Sequence, residues 1–314
     1  MAGVFLGKNA VVTPDCIPAN TNQALAIIRI NQQKALPNFI GYYLRQKSMI
    51  DLINNYSGQS AQPNINLSQI SGLDILLPPL PEQKAVAAVL SSLDDKIDLL
   101  QRQNATLEAL AQTLFRQWFV EKAEDGWEEK PLDEIADYLN GLACQKFLPE
   151  NEVEKLPVLK IKELRGGISN NSDWATLKVD DKYLVENGDV IFSWSGSLLV
   201  KIWDGERCVL NQQLFKVTSE QYPKWFYYLW TVHHLNKFIA IAQSKATTMG
   251  HIKRKDISSS MVLVPSDGEM QEMTLTFAPL FEKIILNNQQ IRTLEKLRET
   301  LLPKLMSGEV SVRI

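Results

Sequence analysis

The sequence of 314 residues contains few of the residues that build disulfides and metal centres. There are three cysteines and three histidines, and Cys16, Cys144 and Cys208 are widely spaced and odd in number. This excludes a disulfide framework and is typical of a reducing cytoplasm. No apolar run approaches the roughly 18 residues that a membrane helix needs. The N-terminal stretch MAGVFLGKNAVV has neither the basic start nor the cleavage site of a signal peptide.

A large excess of one charge sign is also missing, since 33 Lys and Arg nearly balance 36 Asp and Glu. The chain is therefore not a basic nucleic-acid coat, and any contact with DNA must come from a local cluster. A hydrophobic fraction of 45% and a charged fraction of 22% are ordinary for a globular protein. The length predicts two or three domains.

Common catalytic motifs are missing as well. The sequence contains no GxxxxGK[ST] phosphate loop, no GxGxxG, no Asn-Pro-Pro-aromatic motif, no GxSxG and no HExxH. Asp180, Asp181 and Asp189 have no metal-nuclease spacing and are better explained by turns. The pair His233-His234 has no further ligand at zinc-like spacing. We predict that this chain holds no catalytic residue, no metal and no cofactor.

The sequence does contain an internal repeat. Residues 37–43 (PNFIGYY) resemble 223–228 (PKWFYY), and Asn22-Gln23 matches Asn211-Gln212 at a shift of 189 positions. Residues 1–120 are thus a copy of about 192–307, and only the second copy has the extra stretch of roughly 127–191 before it. A shift of 187 superimposes further positions, Ile65, Ile70, Pro78 and Glu82 on Ile252, Ile257, Pro265 and Glu269.

Each copy predicts the same order of elements: a strand-rich segment, a helix, a Gly/Ser/Thr-rich loop, a short strand and a long helix. In the second copy, GDVIFSW (188–194) and CVLNQQLFKV (208–217) are predicted strands, and 223–242 is a predicted helix. Its tryptophans, Trp225 and Trp230, and the nearby Trp194 are better explained by core packing than by base stacking.

Two long amphipathic segments, 82–120 and 269–306, repeat apolar residues at alternating steps of four and three, which predicts a coiled coil. Each seam contains one asparagine, Asn104 or Asn287. The two asparagines face each other if the helices pair antiparallel so that the residue numbers of each facing pair add up to 391. An asparagine that faced an aliphatic side chain instead would cost roughly 1–3 kcal/mol. The alternative is that one asparagine lies at a solvated edge. The same register pairs Ile97 with Leu294 and Leu100 with Ile291.

These features resemble a known family. The string LLPPLPEQKAVAAVLSSLDDKIDLLQRQNATLEALAQTLFRQWF (76–119) resembles the central region of specificity subunits of type I restriction–modification systems, and 282–310 is a looser match. The segments LPVLKIKELRGG (156–167), GDVIFSW (188–194) and LNQQLFKV (210–217) resemble a target-recognition domain of that family.

The resemblance implies an α+β fold, in which mixed α/β target-recognition domains are joined by two long helices in an intramolecular antiparallel coiled coil. It also implies double-stranded DNA, adenine methyltransferase subunits and a restriction or translocase subunit as partners. S-adenosylmethionine, ATP and Mg would bind only to those partners. The expected domains are a partial first recognition domain (1–80), a central helix (81–121), a complete second recognition domain (122–268), a C-terminal helix (269–307) and a tail (308–314).

The first recognition domain departs from the family because it has only its C-terminal part. The chain is then a truncated product, a misassigned start, or a split subunit that another polypeptide or a second copy of itself completes. Two rival functions stay open: a scaffold or remnant that docks partners without reading DNA, and a generic coiled-coil dimer.

The candidate DNA contacts are short clusters of basic and hydroxyl side chains. The best cluster is SKATTMGHIKRK (244–255), and its first-copy equivalent, SGQSAQPNINLSQ (57–69), is polar but uncharged. Lys160 and Lys162 alternate with apolar residues, which favours one exposed face of a strand. The predicted DNA-binding residues are Lys245, Thr247, Thr248, His251, Lys253, Arg254, Lys160, Arg165, Ser195, Gln59, Ser60 and Gln62.

Overall fold

The computed structural model describes residues 6–56, 64–122, 126–244 and 250–313. The chain divides into two compact units. Unit 1 consists of Met1–Leu99 and Thr293–Ile314, and unit 2 is Leu100–Arg292. Each unit therefore contains a part of both long helices, whereas the sequence pattern treats those helices as separate segments between domains.

Nine α-helices lie within the described residues. Two are very long, with 37 and 41 residues, and both match the apolar heptads of the sequence. A single π-helical turn, Gln117–Glu121, continues the first of them. The helices are α1 Pro37–Arg45, α2 Lys47–Tyr56, α3 Leu67–Ser71, α4 Leu80–Arg116, α5 Leu132–Ile135, α6 Ile161–Gly166, α7 Lys224–Ser244, α8 Arg254–Ser258 and α9 Asp267–Ser307.

All ten strands of the described chain belong to unit 2. They are β1 Glu128–Pro131, β2 Asp137–Asn140, β3 Lys155–Leu159, β4 Trp174–Thr176, β5 Leu184–Val185, β6 Val190–Ser193, β7 Leu199–Ile202, β8 Cys208–Leu210, β9 Leu214–Thr218 and β10 Met261–Val264. They form an antiparallel β1–β10 pair, an antiparallel sheet in the order β2-β9-β6-β7, and a sheet in the order β4-β3-β8-β5 in which β3 and β8 are parallel.

Unit 1 has a small core that Phe39, Leu90 and Leu305 help to fill. The proline-rich string LLPPLPEQ (76–83) runs into the first turn of α4 and ends in Gln83, whose side chain is fully buried. Gln83 Oε1 accepts a hydrogen bond from the N–H of Leu36 at 2.9 Å, and Nε2 donates to the carbonyls of Lys34 at 3.0 Å and Pro78 at 2.8 Å. One amide thus ties three backbone groups to the start of the long helix.

The strand-rich start and the short strand before the long helix, both predicted for the first copy, are wrong for the described residues. Residues 26–31 and 73–79 carry no strand, although their counterparts β9 and β10 do. In unit 2, β9 pairs with β2 and β10 pairs with β1. A strand needs a partner for its backbone groups, and residues 26–31 and 73–79 pair with no strand of the described chain. The local sequence alone is therefore not sufficient to form the strand.

The core of unit 2 is rich in aromatic side chains. Trp225 stacks on Phe277 at a centroid distance of 4.4 Å, and Phe115 stacks on Phe119 at 4.8 Å. Trp225 and Trp230 are buried, which confirms that these two tryptophans pack in the core. Both long helices contribute to this cluster, so that α4 and α9 are part of the hydrophobic core of unit 2 and not merely a spacer.

The seam asparagines lie together in unit 2. Asn287 Nδ2 donates to Asn104 Oδ1 at 2.9 Å, and Asn104 Nδ2 donates to Asn288 Oδ1 at 2.6 Å. Asn104 is 9% exposed and Asn287 is fully buried, so neither lies at a solvated edge. The flanking layer residues Leu100 and Ile291 are buried too.

The same two helices meet in unit 1. Ile97 is buried and Leu294 is half-buried there. The sequence places Arg298 opposite Leu93, an unfavourable layer, and the structure shows how it is accommodated. Arg298 Nη1 forms an ion pair of 2.6 Å with Asp94 Oδ1, and Tyr42 donates its hydroxyl to the other oxygen of Asp94 at 2.8 Å.

Two local expectations in unit 2 need correction. The single strand predicted at 208–217 is two strands. A turn at Asn211 separates β8 from β9, which belong to different sheets, and the side chain of Asn211 accepts the N–H of Gln213 at 3.2 Å.

Lys160 and Lys162 do not share a strand face. The strand ends at Leu159 and α6 begins at Ile161, so Lys160 is the N-cap residue and Lys162 lies in the helix.

Candidate nucleic-acid interface

A Gly/Ser turn and the end of the basic segment are joined by backbone hydrogen bonds. The turn, residues 194–196, follows β6, and we call residues 250–255 the basic segment. Gly196 N–H donates to the carbonyl of Gly250 at 2.8 Å, and Ile252 N–H donates to the carbonyl of Trp194 at 3.1 Å. Ser195 and His251 form the β-bridge between them. Two predicted DNA-binding residues that are 56 positions apart in sequence are therefore neighbours.

Glycine is required at Gly250 for a steric reason. A Cβ atom there would lie 2.6 Å from the backbone oxygen of Ala242, which belongs to α7. Gly196 has φ = +64°, a conformation that side chains with a Cβ atom rarely adopt. The sequence therefore provides glycine at both positions where the two backbones approach each other.

Trp194 is held in place beside the turn. Its Nε1 donates to Asn140 Oδ1 at 3.1 Å, and its ring lies 5.8 Å from that of Phe215 and 6.3 Å from that of His251. Asn140 is not among the residues predicted from the sequence. The dipeptide Asn140-Gly141 at the end of β2 is the signal that could have indicated it, since Asn-Gly is typical of a turn. Glycine is needed at position 141 because a Cβ atom there would lie 2.4 Å from the carbonyl oxygen of Asn211.

The basic side chains of this segment differ in their surroundings. His251, Lys253 and Lys255 are exposed, and within the described chain neither lysine forms an ion pair. Arg254 is directed toward the protein: its Nη2 donates to the carbonyl of Tyr138 at 3.0 Å, and its guanidinium lies 5.8 Å from the centroid of the Phe215 ring. Lys253 and Lys255 are thus better placed than Arg254 to attract phosphates.

Helix α6 borders the turn. A Cβ atom at Gly196 would lie 3.6 Å from Ile161 Cδ1, so the first residue of α6 contacts the turn. Lys160 forms an ion pair with Asp173, and Lys160 lowers the pKa of that carboxyl group. Arg165 is exposed, one helical turn beyond Ile161. The structure thus gives Lys160 a counter-ion that the sequence did not indicate.

The remaining predicted contacts lie outside the described residues. They are Lys245, Thr247 and Thr248 in the second copy and Gln59, Ser60 and Gln62 in the first. Their role stays a prediction.

No group of three or more His, Cys, Asp and Glu suited to a metal ion occurs in the part of the chain that the structure describes. His233 and His234 lie on α7 with ring centroids 5.1 Å apart, and both pack against Trp230. His234 Nε2 lies 2.9 Å from the carbonyl oxygen of Met261. Burial lowers the pKa of His234 to about 4.

This shift predicts a pH dependence of stability. The unfolded chain binds a proton at His234 near its ordinary pKa of 6.5, whereas the folded chain binds it only near 4. The free energy of unfolding should therefore decrease as the pH falls through this window and be unaffected by His234 above it. Thermal melts of the protein and of His234→Phe between pH 7 and pH 4 test this, and equal slopes for the two proteins would contradict it.

Each helix within the described residues is too short or too polar to cross a bilayer.

Comparison with known proteins identifies the family. The model of the type I restriction modification DNA specificity domain matches residues 4–109 and 124–296. These are two matches in one chain, and they correspond to the two copies of the internal repeat. The chain belongs to this family. Specificity subunits of type I systems have no catalytic activity, which lies in their partner subunits.

Two curated relatives and one solved structure illustrate the relationship. The chain is 30% identical to the type I restriction enzyme MjaIX specificity subunit of Methanocaldococcus jannaschii over 94% of its own length and 74% of the relative. It is 20% identical to the HindI specificity subunit of Haemophilus influenzae, over 90% and 80%. The type I S subunit from M. genitalium matches with a TM-score of 0.54 and 16% identity over 88% and 74%, which supports the fold alone.

Proposed function

We propose that this chain is the DNA-reading component of a type I restriction–modification complex and directs an adenine methyltransferase to a bipartite DNA site. The observation that supports DNA reading is the junction of the turn 194–196 with the basic segment. This junction places the exposed side chains of Lys253 and Lys255 beside the turn, and the backbone of Gly196 in the turn lies close to the backbone of Gly250 in the basic segment.

Phosphate contacts and base contacts have different sources in this proposal. Lys253, Lys255 and Arg165 attract phosphates, whereas base edges are left to the predicted contacts Thr247 and Thr248, because Ser195 is only 8% exposed. Arg254 is a positioning residue, because its guanidinium connects α8 to β2 through the carbonyl of Tyr138.

The proposed partners are double-stranded DNA, adenine methyltransferase subunits and a restriction or translocase subunit. S-adenosylmethionine, ATP and Mg belong to those subunits and not to this chain. The proposed location is the cytoplasm. In the structure all three cysteines are free thiols, and two of them, Cys144 and Cys208, are buried.

The competing function is a scaffold that docks partner subunits without reading DNA. Salt-dependent DNA binding separates the two. Binding of the protein to a DNA duplex of about 30 base pairs should weaken as salt rises, and Lys253→Gln/Lys255→Gln should lower the slope of log K against log salt by about one unit per lost phosphate contact.

A matched control is Lys178→Gln/Lys182→Gln. These lysines are 52% and 53% exposed, but Glu150, Glu154 and Asp180 already neutralise them. The control should bind DNA like the unmodified protein. Equal binding by both double variants would favour the scaffold.

A methylation map of DNA from cells that contain this chain and its methyltransferase tests the specificity role. An asymmetric bipartite motif would mean that both recognition domains read DNA. A palindromic bipartite motif would mean that two copies assemble and unit 2 reads both halves. Absence of any motif, with intact complex formation, would overturn the proposal.

A further inference from the structure

A short segment of unit 2, which we call the finger (residues 160–173), leaves its sheet between β3 and β4. These two strands are antiparallel neighbours. Val158 N–H donates to the carbonyl of Asp173 at 2.8 Å, and the side chain of Asp173 forms an ion pair with Lys160. Both contacts close the base of the finger, so the residues between them project beyond the end of the two strands.

The finger begins beside the junction that the turn 194–196 forms with the basic segment. Ile161, the first residue of α6, contacts Gly196, and Gly196 N–H donates to the carbonyl of Gly250 at 2.8 Å. All of these residues belong to unit 2. Because the major groove is about 12 Å wide, DNA bound at the basic segment also lies next to the finger.

A buried carboxylate determines the shape of the finger. Glu163 is only 1% exposed, and its Oε1 accepts the hydroxyl of Ser172 at 2.9 Å. Ser172 Oγ in turn accepts the N–H of Ser169 at 3.0 Å, and the N–H of Ser172 donates to the carbonyl of Ser169 at 2.9 Å. The side chain of Glu163 thus fixes the turn 169–172 at the tip of the finger.

Stability does not explain the presence of this carboxylate. Glu163 Oε2 is buried and has no hydrogen-bond partner in the described chain. Lys162, which lies 3.2 Å from Oε1, is its ion-pair partner and is itself largely exposed. Burial of a carboxylate with an unused acceptor is unfavourable. The turn that Glu163 holds is therefore the better explanation of its position.

Two asparagines in this turn have no structural task. Asn170 and Asn171 are exposed, and in the described chain their side chains form no hydrogen bond. Asparagines of other loops do, since Asn22, Asn31 and Asn151 each accept the N–H of the residue two positions on, at 3.0, 3.1 and 2.9 Å. No described residue other than glycine has a positive φ, so a left-handed backbone does not require asparagine here either. Both amides are thus available to a ligand.

The chemistry of a free amide matches adenine. An asparagine side chain offers an acceptor and two donors, and it can bind the N6 amino group and N7 of adenine together in the major groove. Arg165 lies in the same finger, is exposed and forms no ion pair in the described chain. It supplies a positive charge for the adjacent phosphates.

We propose that the tip of the finger reads adenine in the major groove through Asn170 and Asn171, and that Glu163 is the positioning residue that holds both. This inference rests on the proposed DNA reading by unit 2. It deepens that function because it assigns base contacts to described residues and names the base.

The test is the selection of bound duplexes from a random-sequence DNA pool by the full chain, followed by sequencing. The unmodified chain should enrich a motif with adenine at one position or more. Asn170→Ala/Asn171→Ala should lower the preference for adenine there by about five- to 100-fold, since a bidentate base contact contributes that much discrimination. The slope of log K against log salt should stay the same, because no phosphate contact is lost. The matched control Asn236→Ala, which changes an exposed asparagine of α7, should enrich the unmodified motif.

Variants of Glu163 test the positioning role separately. Glu163→Ala should weaken the preference at the same positions of the motif, whereas Glu163→Gln, which keeps an oxygen acceptor for Ser172, should retain it. If Glu163→Ala changes only the melting temperature and leaves the motif as it was, Glu163 is not a positioning residue.

The outcomes also separate the finger from the proposed function. An enriched motif that Asn170→Ala/Asn171→Ala leaves unchanged would overturn the finger as the reader, while DNA reading by the chain would stand. No enrichment by the unmodified chain would overturn both.

Discussion

Replacing Gln83 by methionine should lower the stability of unit 1 by about 3 kcal/mol, since the three backbone groups that Gln83 satisfies would remain buried without equivalent partners. Methionine has nearly the same length and is the residue at the equivalent position of the second copy, Met270, so the change isolates the hydrogen bonds. Hydrogen exchange of residues 34–56 as a function of urea measures the effect locally, which is appropriate for a chain with two units.

The neighbouring substitution Lys84→Met is the control for Gln83. Lys84 is exposed on the same helix turn, and its replacement should change the stability by no more than about 0.5 kcal/mol. Equal effects of the two substitutions would show that the buried amide does not stabilise the start of α4.

The second large effect is expected at the asparagine pair. Asn287→Leu removes the donor to Asn104 Oδ1 from a buried layer, and it should reduce the free energy of unfolding of unit 2 by about 1–3 kcal/mol. Urea unfolding followed by tryptophan fluorescence is a suitable measurement because several tryptophans pack in the unit 2 core.

Asn104→Leu/Asn287→Leu should recover most of that loss, because two aliphatic side chains then fill the layer and the only amide that loses a donor is the half-buried Asn288, which water can reach. Gln103→Leu, an exposed change on the preceding residue, serves as the control and should be nearly neutral. A double variant that loses as much as the sum of the two single variants would mean that the two asparagines do not act as a pair.

The sequence predicted the long helices and the meeting of the two asparagines because both depend on periodicity. Heptad spacing defines a helix face, and the position of one polar residue in each seam defines the register. Helix α7 was predicted for a similar reason, with Pro223 directly before it.

The remaining features depend on tertiary contacts, which the periodicity of the sequence does not reveal. Residues 26–30 have strand-like composition but no strand, because strand pairing requires a neighbour. Lys160 and Arg254 look like phosphate ligands in the sequence, yet Asp173 and the carbonyl of Tyr138 bind them in the fold. The junction of Ser195 with His251 joins segments far apart in the chain, and no local pattern encodes it.

The division of the chain also has a consequence for synthesis. Unit 1 is assembled from the first 99 residues and the last 22, with Leu100–Arg292 inserted between them. At a translation rate of about 5–20 residues per second, the first part waits roughly 10–40 s for the helix end that completes its core. During that interval Leu90 and its neighbours lack Leu305 and Met306, so the nascent chain exposes an apolar surface until Thr293–Ile314 has been synthesised.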